Sequence, residues 1–394
     1  MKFGALAGVM AAVVVVTACG QTPNNTGNKQ APPPTANLKP LDKVGAGEGQ
    51  LNLIAWEGYV DDSWKKAFEN TTGCKVHAQY AGSSDEMFSL MHGGGGGGGG
   101  QWDMVSSSGD ADLRLIYAGD VRPMNEKLIP DWTNFQTYFK NPPYNTISGI
   151  HYGISLQWGP NVLLYNTDKF KIAPTSWSAV YDASNTGLVT AYDYPITIAD
   201  AALYLSKSQP SLGIKDPYEL TKKQFDATVA LLTQQRKLIK KYWPSASIEI
   251  DMFQHGDAFI GAAWPYQTIQ LKLAGAHVAD MIPSEGATGW GDTWMLATKA
   301  PHPNCAYLWT QYVSTPKIQA EQALFFGETP VNTLACAQME ALQAGSCAQY
   351  HANAPLAYFK QIYFWKTPIA ACGNGQNNCM DYTKWQQAWT RLKG

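Results

Sequence analysis

Charge is scarce in this chain. Only 15% of its 394 residues are Asp, Glu, Lys or Arg, and 29 basic against 31 acidic side chains leave a formal charge of −2. That balance offers no basic excess to neutralise phosphates, so nucleic acid is excluded as a partner. Long hydrophobic runs are missing outside the extreme N-terminus, which leaves no other candidate transmembrane helix. Metal-ligand spacings such as C-x-x-C and H-x-x-x-H do not occur and the seven His are scattered, so neither a metal nor any other cofactor is expected. The nucleophile elbow G-x-S-x-G is absent as well. What is abundant is apolar and aromatic: 45% hydrophobic residues, with 14 Trp and 20 Tyr. That is enough for one large core or two medium ones, and it excludes a wholly disordered chain.

The N-terminal exception has the layout of an export signal. Met1-Lys2 is a short basic region, residues 3–16 are apolar, and Val16-Thr17-Ala18-Cys19 is a small-residue cleavage site ending in Cys. This resembles a bacterial lipobox, which implies cleavage before Cys19 and a diacylglycerol on its thiol. Loss of residues 1–18 removes one Lys and no acid, so the mature chain stands at 28 − 31 = −3. Residues 19–50 are rich in Pro, Asn, Thr and Gly and are expected to be a flexible tether. Beyond Cys19 there remain Cys74, Cys305, Cys336, Cys347, Cys372 and Cys379, an even number in an exported chain, which favours disulfides. Of the fifteen possible pairing schemes, short loop closures favour Cys336 with Cys347 and Cys372 with Cys379, which would leave Cys74 for Cys305.

Along the body, strands and helices alternate. Residues 51–55, 75–80 and 103–106 read as strands, each followed by a helix; Asp61 or Asp62 caps the first helix and Gly73 ends it. This alternation calls for a parallel sheet covered on both faces. Eight successive glycines, Gly93 to Gly100, lack the Lys and Ser or Thr of a phosphate cradle and are expected to be a flexible surface connection. After residue 150 the alternation resumes, with a long amphipathic helix opened by Thr221 and Gln224, carrying Phe225, Val229, Leu232 and Ile239 and stopped near Pro244. The reading is α/β, with two lobes and a ligand cleft between them: residues 51–160 with 292–328, and residues 161–291 with 329–394.

In such sheets ligands sit beyond the carboxyl ends of strands. The turns there combine rings with acids or small polar groups: Trp56 to Tyr59, Ser106 to Asp110, Gln157 to Gly159 with Trp158, Tyr192 to Tyr194 with Asp193, Trp264 to Gln267 with Tyr266, and Trp290 to Asp292. Ring faces attract an ammonium group by roughly 0.5–2 kcal/mol each, and a carboxylate adds a charge-assisted hydrogen bond. The favoured ligand is an elongated apolar chain with positive ends.

Several of these stretches, Trp56-Glu57-Gly58-Tyr59, Ser84-Asp85-Glu86-Met87, Ser108 to Leu115, Gln157 to Asn161, Ala263 to Gln267 and Glu285 to Thr293, occur in one order that resembles the solute-binding lipoproteins of spermidine/putrescine-type ABC transporters. The resemblance implies a two-lobe periplasmic-binding-protein type 2 fold and no enzymatic activity. It implies capture of a polyamine, delivery to membrane permease subunits, a lipid anchor at Cys19, a monomeric state and a site on the outer face of the cytoplasmic membrane or in the periplasm. Position by position, Trp56 and Tyr59 match first-lobe aromatics, Ser107 a polar contact, Trp264 and Trp290 stacking rings, and Asp292 the principal carboxylate. The second-lobe stretch that is acid-rich in the family retains only Asp193 here, with Asp110 as a candidate replacement. Two readings from other classes remain. One is an exported enzyme acting on an ester or acyl polymer, which would need an unpaired Cys near the cleft; the other is a receptor for ferric iron or an anion, with Tyr59, Tyr194 and Tyr266 converging.

Overall fold

The computed structural model describes residues 32–372 and 376–394. The proposed signal segment, Cys19 and the first part of the expected tether lie outside the described residues. From residue 33 onward the chain forms one compact unit.

Its strands, in chain order, are β1 (Gln50–Trp56), β2 (Lys75–Ala81), β3 (Met104–Ser108), β4 (Thr146–Ile147), β5 (Ile150–His151), β6 (Ile154–Pro160) and β7 (Val162–Asn166). Then come β8 (Val189–Thr190), β9 (Ile260–Ala263), β10 (Val278–Met281), β11 (Ala287–Leu296), β12 (Thr329–Pro330) and β13 (Ile362–Phe364). Two sheets organise the lobes. One runs β12-β6-β11-β3-β1-β2 with β13 added beside β11, and the other runs β10-β7-β9-β8. Each packs on its own apolar core, the first around Leu53, Phe68, Trp158 and Trp309, the second around Leu164, Ile198, Trp243 and Trp385.

The expected parallel sheet is found only in part. β1 pairs with β2 and β3 in parallel, as strand–helix–strand crossovers require. β11, however, enters from the second lobe and lies antiparallel to both β3 and β6. The chain leaves the first sheet after Pro160, and Asn161 alone separates β6 from β7 of the other sheet. The return passes between Met281 and Ala287, so β11 runs beside β6 in the opposite direction. Residues 287–291, 329–330 and 362–364, expected in the second lobe, therefore belong to the first sheet.

Local signals act largely as read. Asp61 accepts a hydrogen bond from the Ser63 N–H at the start of helix Asp62–Thr72, and Gly73 ends it in the left-handed region. Thr221 and Gln224 form the capping box of helix Lys222–Gln235. That helix stops short of Pro244 because Ile239, counted with its apolar face, bridges to Val189 at the edge of the second sheet instead.

Two expectations of flexibility fail for a common reason, backbone hydrogen bonding. Residues 33–48 lie against the first lobe: Thr35 Oγ1 donates to the Val121 carbonyl at 2.8 Å, Arg122 to the Lys39 carbonyl at 2.6 Å, and Asn125 to the Leu41 carbonyl at 3.0 Å. Glu48 then accepts from the backbone N–H groups of Asn304 and Cys305, both at 2.9 Å, in the first turn of helix Pro303–Val313. The glycine run is likewise packed. Gly94 to Gly100 all have positive φ, a left-handed path closed to a run of ordinary L-residues. The Gly97 N–H donates to Asp120 and its carbonyl accepts from the Lys299 N–H, so the turn is fastened on both sides.

Disulfides join Cys74 to Cys305, Cys336 to Cys347 and Cys372 to Cys379. The six described cysteines are thereby all paired, and none of them is left as a nucleophile.

Candidate functional site

A cavity of about 250 Å³ opens where strand ends of the two sheets face each other. From the first lobe, the turn after β1 brings Trp56, Glu57 and Tyr59, the end of β2 brings Tyr80 to Gly82, and β3 ends at Ser108. β11 adds Trp290 and Asp292, and Trp365 follows β13. From the second lobe come Ser245 and Ala246 at the start of helix Ala246–Gln254, then Trp264 and Tyr266 just after β9.

Trp264 is held by the local sequence. Pro265 occupies the first helical position of Pro265–Leu273, and the Gln267 side chain reaches back to accept from the Trp264 N–H at 3.2 Å. Its ring meets Trp56 edge-on at 6.1 Å and is backed by Tyr192 at 5.2 Å and Trp243 at 5.0 Å. Ring positions are thus set by other rings, not by solvent-exposed rotamers.

Asp292 occupies a register shift. Gly291 pairs with Trp158 but Thr293 pairs with Ser155, which leaves Leu156 and Gln157 opposite Asp292 alone. On its other edge Asp292 is the direct partner of Ser108, whose hydroxyl donates to Oδ1 at 2.5 Å. The Tyr59 hydroxyl donates to Oδ2. Burial pushes the Asp292 carboxyl up to about 7 despite these two donors, and the charge of Asp110 adds to the rise.

A second carboxyl, Glu328, shares the Tyr59 hydroxyl at 3.2 Å. Gly327, left-handed at φ 69°, ends helix Pro316–Phe326 and turns the chain so that Phe326 and Glu328 both reach the cavity. Burial, followed by the charge of Asp292, holds Glu328 well above the usual carboxylate range, and Tyr59 is raised for the same two reasons. Among the described residues lining the cavity, Glu57, Asp292 and Glu328 are acidic and no Lys, Arg or His is present. Such a chamber attracts positive charge and can enclose an aliphatic segment between rings.

Six of the ten expected ligand residues meet here: Trp56, Tyr59, Trp264, Tyr266, Trp290 and Asp292. The other four lie elsewhere. Ser107 is one residue out of register; strand alternation turns it to the opposite face of β3, where its hydroxyl donates to Asp112 at 2.5 Å. Trp158 is a core residue, stacked on Phe139, tilted against Phe359 and edge-on to Phe364. Asp193 accepts from Trp389 Nε1 at 3.1 Å and pairs with Lys393 at 2.6 Å, fastening the C-terminal helix Tyr382–Lys393 to its lobe. Asp110 is buried behind the cavity, accepting from Ser84 at 2.9 Å and Tyr194 at 2.7 Å, and burial raises it to about 6. Tyr194 is therefore committed to Asp110 and does not line the cavity with Tyr59 and Tyr266. Among the described residues no group of three His, Cys, Asp or Glu could hold a metal ion.

Sequence reasoning missed Ser108, Phe326, Glu328 and Trp365. Ser108 was within reach, since a period of two from Ser106 selects it over Ser107. Glu328 follows a helix rather than a strand, so a search of strand ends passes over it.

Residues 63–346 match the model of a family described as bacterial extracellular solute-binding protein. The chain belongs to this family. Curated relatives include the putrescine/agmatine-binding protein of Pseudomonas aeruginosa, 23% identical over 311 residues, spanning 74% of this chain and 81% of the relative. The putrescine-binding periplasmic protein of Escherichia coli is 22% identical over 294 residues, 70% of this chain and 76% of the relative. Among solved structures, a putative spermidine/putrescine ABC transporter protein from Listeria monocytogenes superposes with a TM-score of 0.72 at 17% identity, covering 88% of this chain and 99% of that one. The fold is that of the periplasmic binding proteins, two lobes around a cleft, and this solute-binding protein carries its cavity in that cleft. Among its described residues no helix is long and apolar enough to cross a membrane.

Proposed function

We propose that this solute-binding protein captures a small protonated amine of the putrescine and spermidine class and delivers it to the permease of an ABC importer. It does so as a monomer held at the outer face of the cytoplasmic membrane, or in the periplasm, by lipid on Cys19. Trp56, Trp264, Tyr266 and Trp290 sandwich the methylene chain, while Asp292 receives the ammonium group. The lobes close across three crossings, one at Asn161, one between Met281 and Ala287, and one after Phe364. The observation that carries this reading is the lining itself: three acidic side chains, several aromatic rings and, among the described residues, no basic side chain.

Size supports the same class. A volume of 250 Å³ equals roughly eight water molecules at liquid density, room for a ligand of roughly six to ten non-hydrogen atoms. A thermal-shift screen of diamines, polyamines, amino acids and metal salts tests the proposal, since a ligand bound only by the folded state raises the melting temperature through mass action. Putrescine or spermidine is expected to raise it in a concentration-dependent way. Stabilisation by an anion or a neutral solute, with none by any amine, refutes the reading.

A further inference from the structure

We propose that Glu328 is a second ligand-recognition carboxylate, and that in the empty protein it and Asp292 share a proton through Tyr59, which an incoming alkylammonium displaces into solvent. The inference rests on the cationic-ligand reading above and extends it to the chemistry of capture.

The Tyr59 hydroxyl has a single proton to donate, and the shorter of its two carboxyl contacts is to Asp292 Oδ2. Glu328 Oε2 nevertheless stands 3.2 Å from the same hydroxyl oxygen. With Glu328 ionised, that approach is oxygen against oxygen with nothing between them. With Glu328 protonated, it is a hydrogen bond donated to Tyr59, and a continuous chain runs from the Glu328 carboxyl through the phenol to the Asp292 carboxylate.

The surroundings favour the protonated form. Asp292 and Glu328 are 2% and 6% exposed, and among the described residues no Lys, Arg or His lines the chamber. Among the described residues, the other titratable groups beside the pair are acidic or phenolic. Asp110 and Asp112 lie behind it on helix Gly109–Ala118, the Tyr144 hydroxyl lies beside Gly291, and Glu57 is at the exposed mouth. Burial raises Asp292, Glu328 and Tyr59 together, as expected for acids that cannot all ionise.

Capture then balances as an exchange of cations. The Glu328 O–H bond breaks, its proton passes to water, and the ligand ammonium donates to both carboxylates in its place. The site carries one net negative charge before binding and, counting the ligand head, one after. The buried charge stays constant, whereas a neutral ligand could not replace the proton.

Calorimetric titration with putrescine, in two buffers of different ionisation heat and at about pH 6 and about pH 7.5, reads the proton count directly; an alkylammonium stays protonated throughout that range. The wild-type protein is expected to release close to one proton per putrescine at about pH 7.5 and more at about pH 6, where Asp292 is protonated as well, with affinity rising about tenfold per pH unit for each proton released. Glu328→Gln, with an unchanged circular dichroism spectrum, is expected to lose most of the release at about pH 7.5 and flatten the pH slope there. Tyr59→Phe is a second variant that removes the bridge while keeping both acids, and it too should reduce the release. Putrescine bound with no proton released at either pH overturns the coupling and leaves the cationic reading intact. Failure of putrescine, cadaverine, agmatine and spermidine alike to bind overturns both.

Discussion

Replacing Asp292 by Asn separates ligand recognition from fold maintenance, because the two should move in opposite directions. In the complex, an amide at this position cannot supply the charge-assisted hydrogen bond, and truncating one partner of a buried charged pair costs about 2–5 kcal/mol. Glu328 still offers one negative charge, which places the loss toward the low end. About 2–3 kcal/mol corresponds to a roughly 30- to 150-fold weaker Kd. In the ligand-free protein the sign reverses. The folded-state value of Asp292 is raised to about 7 from an ordinary 3.8, so the native state binds its proton more tightly than the unfolded chain does. Stability contributed by that proton is present below the unfolded value and is lost as pH rises toward 7, at an upper limit of roughly 4 kcal/mol. An amide avoids this cost and still accepts from Ser108, so at neutral pH the melting temperature should hold or rise by a few degrees. Titration calorimetry with putrescine and a thermal melt of the same sample test both halves. A Kd changed less than threefold, or a melting temperature that falls in step with the affinity, refutes the assignment.

Four further outcomes follow from the geometry. Asp193→Asn should leave the Kd for putrescine unchanged and cost at most about 1 kcal/mol in a denaturant melt, because its partly exposed pair with Lys393 serves only to fasten the C-terminal helix. Gly159→Ala should weaken binding with the fold retained: an added Cβ would stand 2.5 Å from the Trp290 ring, and relieving such overpacking costs about 1–3 kcal/mol, read as a changed Kd and a shifted tryptophan emission. Replacing Cys74 and Cys305 together by Ser opens a 231-residue loop and should lower stability by about 5 kcal/mol, against about 3 kcal/mol for the 11-residue Cys336–Cys347 loop, measured by urea unfolding. Finally, Asp110 and Asp200 are raised to about 6, like Asp292 chiefly by burial, so the ligand-free protein should melt higher at about pH 5 than at about pH 7.5. A melting temperature that falls steadily as the pH is lowered over that interval would contradict the burial of these acids.

How far the site could be read in advance depended on which elements carried it. The end of β1 and the turns after β1 and β9 hold Trp56, Tyr59, Trp264 and Tyr266, which reached the cavity because strand ends in this fold converge on the cleft, whereas Trp290 and Asp292, expected in a turn, lie inside β11 at its register shift and reach it from mid-strand. Ser107 failed by one position, and in a strand one position is the whole difference between faces. Trp158, like Trp290, is followed by glycine, yet its packing against Phe139, Phe359 and Phe364 made it core. Asp110 and Asp193 were acids of the expected type, but each was taken up by partners remote in sequence, Tyr194 for one and Lys393 for the other.

The order of residues by itself determined the cysteine pairing favoured by short loops, the helix caps at Asp61 and Thr221, and an aromatic, acid-bearing chemistry at strand ends. These follow from neighbours within a few positions, where propensity, capping and spacing act directly. Tertiary structure alone decided the direction of β11, the packing of residues 33–48, the left-handed seat of the glycine run, and the meeting of Glu328 with Asp292 on one phenol. Each of those depends on groups dozens to hundreds of residues apart, and only the folded chain settles which buried polar atom finds which partner.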